Sequence, residues 1–287
     1  MKDVCVIHLV RAQNGIEPFQ RFLDSYKENP SDINHDLLII FKGFESSSDK
    51  EPYLKLLTFF QYLSFDFPDI GFDINAYFNA ANHYEADYQY FCFLNSFSII
   101  QCSNWLNLLY KHISMPNVGL VGASGSWQSH NSWGSIMKNR KMRIDSFSIL
   151  GGQGLCKRIN QKVGAAWRQF QMLLFFPPFP NYHIRTNAFV ISNELLKNIV
   201  LPRIKTKMHA YKFESGEKGL TRQIITMGKQ VLVIGCDGVG YEMKFWNISK
   251  TYWQASQENL LIADNQTLLY QNSNIKQRGF LSFLAWG

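Results

Sequence analysis

The chain is 287 residues long, with 46% hydrophobic and 18% charged residues, which excludes a disordered polymer and leaves room for one large domain with a substantial core. Lys and Arg outnumber Asp and Glu by 29 to 22, a net charge of +7 that suits an anionic partner. No helix-turn-helix, zinc-finger or RNP pattern is present, so the expected anion is a phosphorylated ligand or an acidic membrane face rather than nucleic acid.

In chain order, Val4 to Val10 is a continuous apolar run of strand type, and the stretch after it carries Phe19, Phe22, Leu23 and Tyr26 at helical spacing. "HDLLIIF" (35–41) is a second buried strand, followed by the loop "KGFESSSDKEP" and an aromatic-rich helix near 52–63. The segment "FPDIGFDINAYFNAANHYEA" predicts a short strand or turn, then a helix beginning near Ile74. "YQYFCFL" is the next strand, "CSNWLNLLYKHI" the next helix and "NVGLVGAS" another strand. Strands alternating with helices over the first 125 residues predict an α/β fold with a mostly parallel sheet flanked by helices on both faces. Ligands of such sheets bind at the carboxyl ends of the strands. Arg11, Lys42, Asp73, Asn95 and Ser96 are therefore expected around one crevice.

The second half is less regular. Residues 126–150 read as loop, and "GLCKRINQKVGAAWRQFQMLLFFPPFP" as a basic amphipathic helix with an aromatic, proline-rich end. "IRTNAFVIS" reads as one strand, "NELLKNIVL" as a short helix capped by Ser192 or Asn193, "ESGEKGLTRQIITMG" as one helix closed by Gly228, and "KQVLVIGCDG" as a strand. No repeat or linker separates domains, so a single domain with an elaborated C-terminal half is expected, 1–125 forming one half and 126–287 the other.

Five cysteines (5, 92, 102, 156 and 236) form no CxxC pair, which argues for a reducing compartment and against zinc. "MKDVCVIHLV" reads as a strand rather than a signal peptide, and no apolar run reaches membrane-spanning length, so a cytoplasmic location is expected.

The order of these pieces resembles a GT-A-fold glycosyltransferase of the broad family 2 type. "VIHLVRAQNGIEPFQRFLDSY" is similar to the family's first strand, polar turn and helix. "DIGFDINAYFNAA" resembles the NxGxDxxA-like turn of rhamnan-synthesis-type members, with Gly71 and Asp73 in the matching places. The strand that ends in the family's metal-binding DxD ends here in Asn95-Ser96-Phe97, so the motif is replaced. "ESGEKGLTRQIITMGKQVLVIG" has the shape of the family's acidic residue followed by LxxR and a glycine, although Glu214 stands eight residues before Arg222 where about seven is usual. The resemblance covers roughly residues 4–242.

The resemblance implies a Rossmann-like GT-A sheet whose first half binds a nucleotide-sugar donor and whose second half binds the acceptor and carries catalysis. It implies transfer, by inversion, to a surface-polysaccharide or lipid-linked oligosaccharide acceptor in cell-envelope biosynthesis. Glu214 is the expected base and Arg222 its catalytic companion; Arg11, Lys42, Asp73, Asn95 and Ser96 are expected on the donor. Arg185, Asn187, Glu217, Trp253, Gln254 and Asp264 are expected on the acceptor or sugar. Each has a plainer reading. Asp73 is a good helix cap, Asn95-Ser96 can simply end a strand, and Glu214 and Glu217 suit a helix N-terminus by dipole alone. The amide-rich "WQASQENLLIADNQT" can be a capped helix and turn as well as a sugar platform.

No metal-ligand set is read. Without the aspartates a metal-free transfer is expected, the diphosphate held by Arg11, Lys42, Arg185 and Arg222, with Mg²⁺ or Mn²⁺ left open through Asp237, Glu242 or Asp264. A catalytically silent relative that binds a sugar nucleotide or glycan beside a partner is the alternative, and a nucleotidyltransferase a weaker one. Charge and the 157–175 stretch suggest docking on the inner face of an anionic membrane. Lys157, Arg158, Lys162 and Arg168 would meet headgroups, while Trp167, Phe170, Leu173, Leu174 and Phe175 reach the acyl boundary. The oligomeric state is not legible in the sequence.

Overall fold

The structure is a computed structural model, and it describes residues 3–131 and 170–287. Its first strand, β1 (Val4–Arg11), is buried almost throughout and alternates between the two faces of a sheet. Val4, Val6 and Val10 face one core cluster and Cys5, Ile7 and Leu9 the other, as the two-residue period of a strand requires. Helix α1 (Glu17–Glu28) lays Phe19, Phe22 and Leu23 on the first face. It leads to β2 (His35–Lys42), α2 (Ser47–Leu56), β3 (Leu63–Phe67), α3 (Phe72–His83) and β4 (Tyr90–Leu94). A short β5 (Ile99–Ile100), α4 (Trp105–Ile113), β6 (Val118–Gly122) and β7 (Gly125–Ser126) complete the first half. The second half supplies β8 (His183–Ile184), β9 (Ala188–Ser192), β10 (Gln230–Ile234), β11 (Gly240–Glu242) and β12 (Ile262–Ala263), with helices at Asn193–Asn198, Lys207–Ser215, Leu220–Thr226, Asn265–Gln271 and Ile275–Trp286.

Eight strands form one sheet in the order β11-β10-β6-β9-β4-β1-β2-β3. Neighbouring strands are parallel except where β9 lies between β4 and β6 and where β11 closes the edge. The chain is thus an α/β protein with a mostly parallel sheet covered on both faces. Because β9 runs against its neighbours, its first residue stands at the same end of the sheet as the last residues of β4 and β6. The carbonyl of Asn187 accepts from the Asn95 N–H at 2.9 Å, and that of Ala188 from the Ala123 N–H at 3.0 Å.

Four expectations are corrected. The helix placed near 52–63 spans Ser47–Leu56, because Ser46 and Asp49 make a reciprocal capping box that starts it earlier. That leaves Leu63–Phe67 free to pair with β2 as a full strand. "IRTNAFVIS" is not one strand: Ile184 ends β8, paired with β7, and the sheet strand resumes at Ala188. "ESGEKGLTRQIITMG" is not one helix, since Gly216 and Gly219 divide it into the end of Lys207–Ser215 and the start of Leu220–Thr226. Glycine loses much conformational freedom in a helix, so two of them within four residues favour a break. Finally, Cys102 and Cys236 form a disulfide with their Cα atoms 6.2 Å apart, which removes the cysteine-based argument for a reducing compartment. Cys5 and Cys92 are free and buried.

Lys157, Arg158, Lys162, Trp167 and Arg168 lie outside the described residues. Among the described residues no helix is long and apolar enough to cross a membrane.

Candidate active site at the carboxyl ends of the strands

The strand order reverses at β1, with β2 and β3 on one side and β4 on the other. In an open α/β sheet that switch point leaves a crevice beyond the carboxyl ends, since the connections depart in opposite directions. The last residues of β1 and β2 are Arg11 and Lys42, partners in the parallel register. Both hold Asp69, a residue of the β3–α3 connection. Arg11 donates from Nε at 2.9 Å and Nη2 at 2.7 Å, and Lys42 Nζ lies 3.1 Å from Oδ1. Lys42 is only 2% exposed. The Arg11 hydrogen bond first, and then Lys42, hold the Asp69 carboxyl down at about 2 against the opposing effect of burial; the same hydrogen bond raises Arg11.

Asp73 sits in the first turn of α3, beyond Gly71. Gly71 has φ +66° and a Cβ there would collide with Asn75, so this turn admits little but glycine. Burial raises the Asp73 carboxyl; Lys42 and Arg11 oppose that, while Asp69 and Glu214 add to it. Asp73 therefore feels both the cations at β1 and β2 and the carboxylate of Glu214 across the mouth.

Glu214 lies in the last turn of the Lys207–Ser215 helix rather than opening one. Its Oε1 accepts from the Thr186 N–H at 2.8 Å and from the Thr186 hydroxyl at 3.1 Å. Its Oε2 has no partner among the described residues, and the side chain is half-buried. A carboxylate fixed by one oxygen and open at the other is arranged to accept a proton. Thr186 belongs to the break between β8 and β9, and so do Arg185 and Asn187. Buried Arg185 donates to Asp264 Oδ2 at 2.7 Å and to Ser124 Oγ at 3.2 Å, with its guanidinium 4.2 Å from the Tyr252 ring centre. Burial pulls Arg185 down, but Asp264, Tyr252 and Glu214 together raise it. The Ser124 hydroxyl donates a hydrogen bond to Asn187 Oδ1 at 3.1 Å, and Asn187 Nδ2 is buried without a partner among the described residues. His183 donates from Nδ1 to the Asn181 carbonyl at 2.8 Å. Burial, with Arg185, lowers His183 despite Glu214 nearby.

Other expected residues stand differently. Asn95 Oδ1 accepts from the Phe97 N–H at 3.0 Å and the Ser98 hydroxyl at 3.2 Å, closing a turn straight after β4, and Ser96 is buried beside it. Arg222 pairs with Glu217 at 3.4 Å, not with Glu214, and its Nε is buried without a partner among the described residues. Trp253 is 1% exposed, stacked on Tyr252, and donates from Nε1 to the Gln266 carbonyl at 3.0 Å. Gln254 bonds the Lys250 N–H and the Trp246 carbonyl, each at 2.7 Å. These two side chains hold the C-terminal segment together, which corrects the picture of an open sugar platform. Asp264 caps the Asn265–Gln271 helix besides pairing with Arg185.

The sequence reading missed Asp69, Thr186, Ser124, Tyr252 and His183. Asp69 was legible as the first residue of "DIGFD", but only geometry shows that it reaches two cations. Thr186 carried no signal beyond its place between Arg185 and Asn187.

The described residues do not form a metal-binding set. No three His, Cys, Asp or Glu side chains converge to hold an ion among them, and Asn95 and Ser96 offer only neutral oxygens. Asp237 accepts from the Val239 N–H and the Tyr241 hydroxyl, Glu242 pairs with Lys244, and Asp264 with Arg185.

No protein-family profile and no curated protein matches the sequence. Among solved structures, the chain is similar to the mannosyltransferase PcManGT from Pyrobaculum calidifontis in complex with GDP-Man and Mn²⁺, at 12% identity over 87% of this chain and 62% of that one, with a TM-score of 0.48. It is similar to the bifunctional glycosyltransferase WbbM at 11% identity over 99% of this chain and 44% of that one, with a TM-score of 0.43. A mannosyltransferase from S. cerevisiae in complex with GDP is 12% identical over 74% of this chain and 60% of that one, with a TM-score of 0.38. The chain spans less than two thirds of the length of each.

Proposed function

We propose that the chain is a GT-A-type glycosyltransferase of the family 2, rhamnan-synthesis kind, which moves a sugar from a nucleotide-sugar donor to a surface-polysaccharide or lipid-linked glycan acceptor. One observation carries the reading: at the switch point, Arg11 and Lys42 stand within electrostatic reach of Asp73, which also feels a Glu214 carboxylate held by Thr186 with one oxygen open. In the proposed inverting step the acceptor hydroxyl gives its proton to Glu214 Oε2 as its oxygen bonds to the anomeric carbon. The bond from that carbon to the diphosphate oxygen breaks, and the leaving group departs with the electron pair. Arg11 and Lys42 meet the charge that develops on it, which lowers the barrier most where water is excluded. Asp73 receives the ribose or base; Arg185, Asn187 and Glu217 lie on the acceptor or sugar side, with Asp264 acting through Arg185. No step uses a metal ion.

The test is Glu214→Gln, which keeps the shape and the Thr186 contact but cannot take a proton. Turnover is expected to fall by roughly 100-fold or more with donor affinity little changed. Wild-type turnover in that variant would remove Glu214 from the mechanism.

A second reading is a catalytically silent sugar-nucleotide or glycan-binding partner. It is favoured by the neutral Asn95-Ser96 end of β4 and by the ion pairs that already occupy both cations. Donor turnover by the purified chain excludes it; binding without turnover supports it.

A further inference from the structure

We propose that Asp69 is a built-in counter-ion that occupies the phosphate site of the ligand-free protein and swings out when a nucleoside diphosphate binds. This rests on reading the crevice as a donor site, and it adds a closed state to it.

Asp69 meets Arg11 through both oxygens, side by side at 2.9 and 2.7 Å, the two-pronged geometry in which a guanidinium also receives phosphate. The second cation gives the stronger reason. Lys42 is buried to 2% exposure at the end of β2, and its ion-pair partner is Asp69 at 3.1 Å. A buried ammonium requires an anion beside it, so one is needed whenever no phosphate is present. Asp69 itself is 37% exposed, which means that the carboxylate comes to the lysine from outside.

The backbone permits both seating and release. Gly43, directly after Lys42, has φ +74°, and a Cβ there would come within 2.9 Å of Asp69 Cβ. The missing side chain is what lets Asp69 lie against the end of β2. Asp69 rides on the short connection between β3 and α3, whose neighbours Ile70 and Phe72 are 59% and 39% exposed. Gly71 and Phe72 both have left-handed φ, +66° and +56°. A connection with so few buried contacts opens without disturbing the core. Arg11 and Lys42 act on two carboxylates here, Asp69, which they hold directly, and Asp73 in the first turn of α3, so an incoming diphosphate gains most by replacing the one that can leave.

The prediction has a sign opposite to that of an ordinary binding residue. Inorganic pyrophosphate, UDP and GDP are titrated calorimetrically into the wild-type chain, Asp69→Asn, Asp69→Ser and Arg11→Gln, with folding confirmed by circular dichroism. Both Asp69 variants are expected to bind pyrophosphate about 10-fold more tightly than wild type, because the closed state no longer competes, and Arg11→Gln more weakly. Equal or weaker binding by the Asp69 variants, with Arg11→Gln still impaired, overturns the counter-ion and leaves the donor site standing. If no variant binds pyrophosphate or either nucleotide, both fall together.

Discussion

His8 lies in the middle of β1, fully buried, with its ring stacked on that of Phe22, centres 3.6 Å apart and planes nearly parallel. Neither ring nitrogen has a hydrogen-bond partner among the described residues. Burial alone lowers it from 6.5 to about 3, so it is neutral in the folded chain at neutral pH. Below pH 6.5 the unfolded chain takes up a proton that the folded chain refuses. Stability should therefore be full above pH 6.5 and decline as pH falls toward 3, by up to about 1.4 kcal/mol per pH unit. His8→Leu keeps an apolar packing partner for Phe22 and removes the proton. From pH 7.5 to 4.5 the wild-type denaturation midpoint should fall relative to that of the variant, which lacks this proton-linked loss; parallel curves would show that His8 is not held neutral. Asp69 acts in the same direction, but in a lower pH window. With its carboxyl lowered to about 2, its ion pairs are fully present above its ordinary 3.8 and are lost only between about pH 4 and 2. The counter-ion and the core histidine therefore respond in different pH windows.

The elements that position the site were legible to different degrees. Buried runs such as "HDLLIIF" and "YQYFCFL" read directly as strands, because a parallel strand covered on both faces is apolar at every position. Their carboxyl-terminal polar residues, Arg11, Lys42 and Asn95, followed from the same pattern. What escaped was local geometry decided by one or two residues. The break at Arg185–Asn187 interrupts an unbroken strand pattern, and only the pairing of β8 with β7 rather than with the main sheet reveals it. That break sets Arg185 and Asn187 against Ser124, and Thr186 against Glu214. The division at Gly216–Gly219 moved Glu214 from the start of one helix to the end of another, where Thr186 can hold it. Trp253 and Gln254 misled for a related reason. Aromatic and amide groups in a short segment have the composition of a sugar site, but the same groups satisfy the backbone of a tightly turned segment. Lys250, Trp253, Ala255 and Gln257 all have positive φ there, leaving backbone polar groups that helix and sheet do not satisfy.

At the scale of the whole molecule, one sheet draws strands from both halves of the chain, and the proposed site lies on the seam. The net charge of +7 and the exposed Phe170, Leu173, Leu174 and Phe175 fit the proposal of docking on the inner face of an anionic membrane. Lys212 lies 3.2 Å over the Phe175 ring, an arrangement that keeps a cation beside an apolar edge. Flotation with anionic liposomes should recover the protein at low salt and lose it at high salt; its absence from the liposome fraction at low salt, with the protein folded, would leave a chain with no membrane role. The proposed donor site makes a narrower demand, a nucleoside diphosphate held in the crevice beside β1. Thermal unfolding of wild type and Arg11→Gln against a panel of nucleotide sugars, with EDTA and then with Mn²⁺, tests it most directly. A ligand that binds only the folded state at about 100 times its dissociation constant stabilises by about 2.7 kcal/mol, several degrees of midpoint. At least one nucleotide sugar is expected to raise the wild-type midpoint in EDTA, and Arg11→Gln to abolish the rise. No rise with any donor, or a rise that needs Mn²⁺ and ignores Arg11, would contradict the proposed donor site.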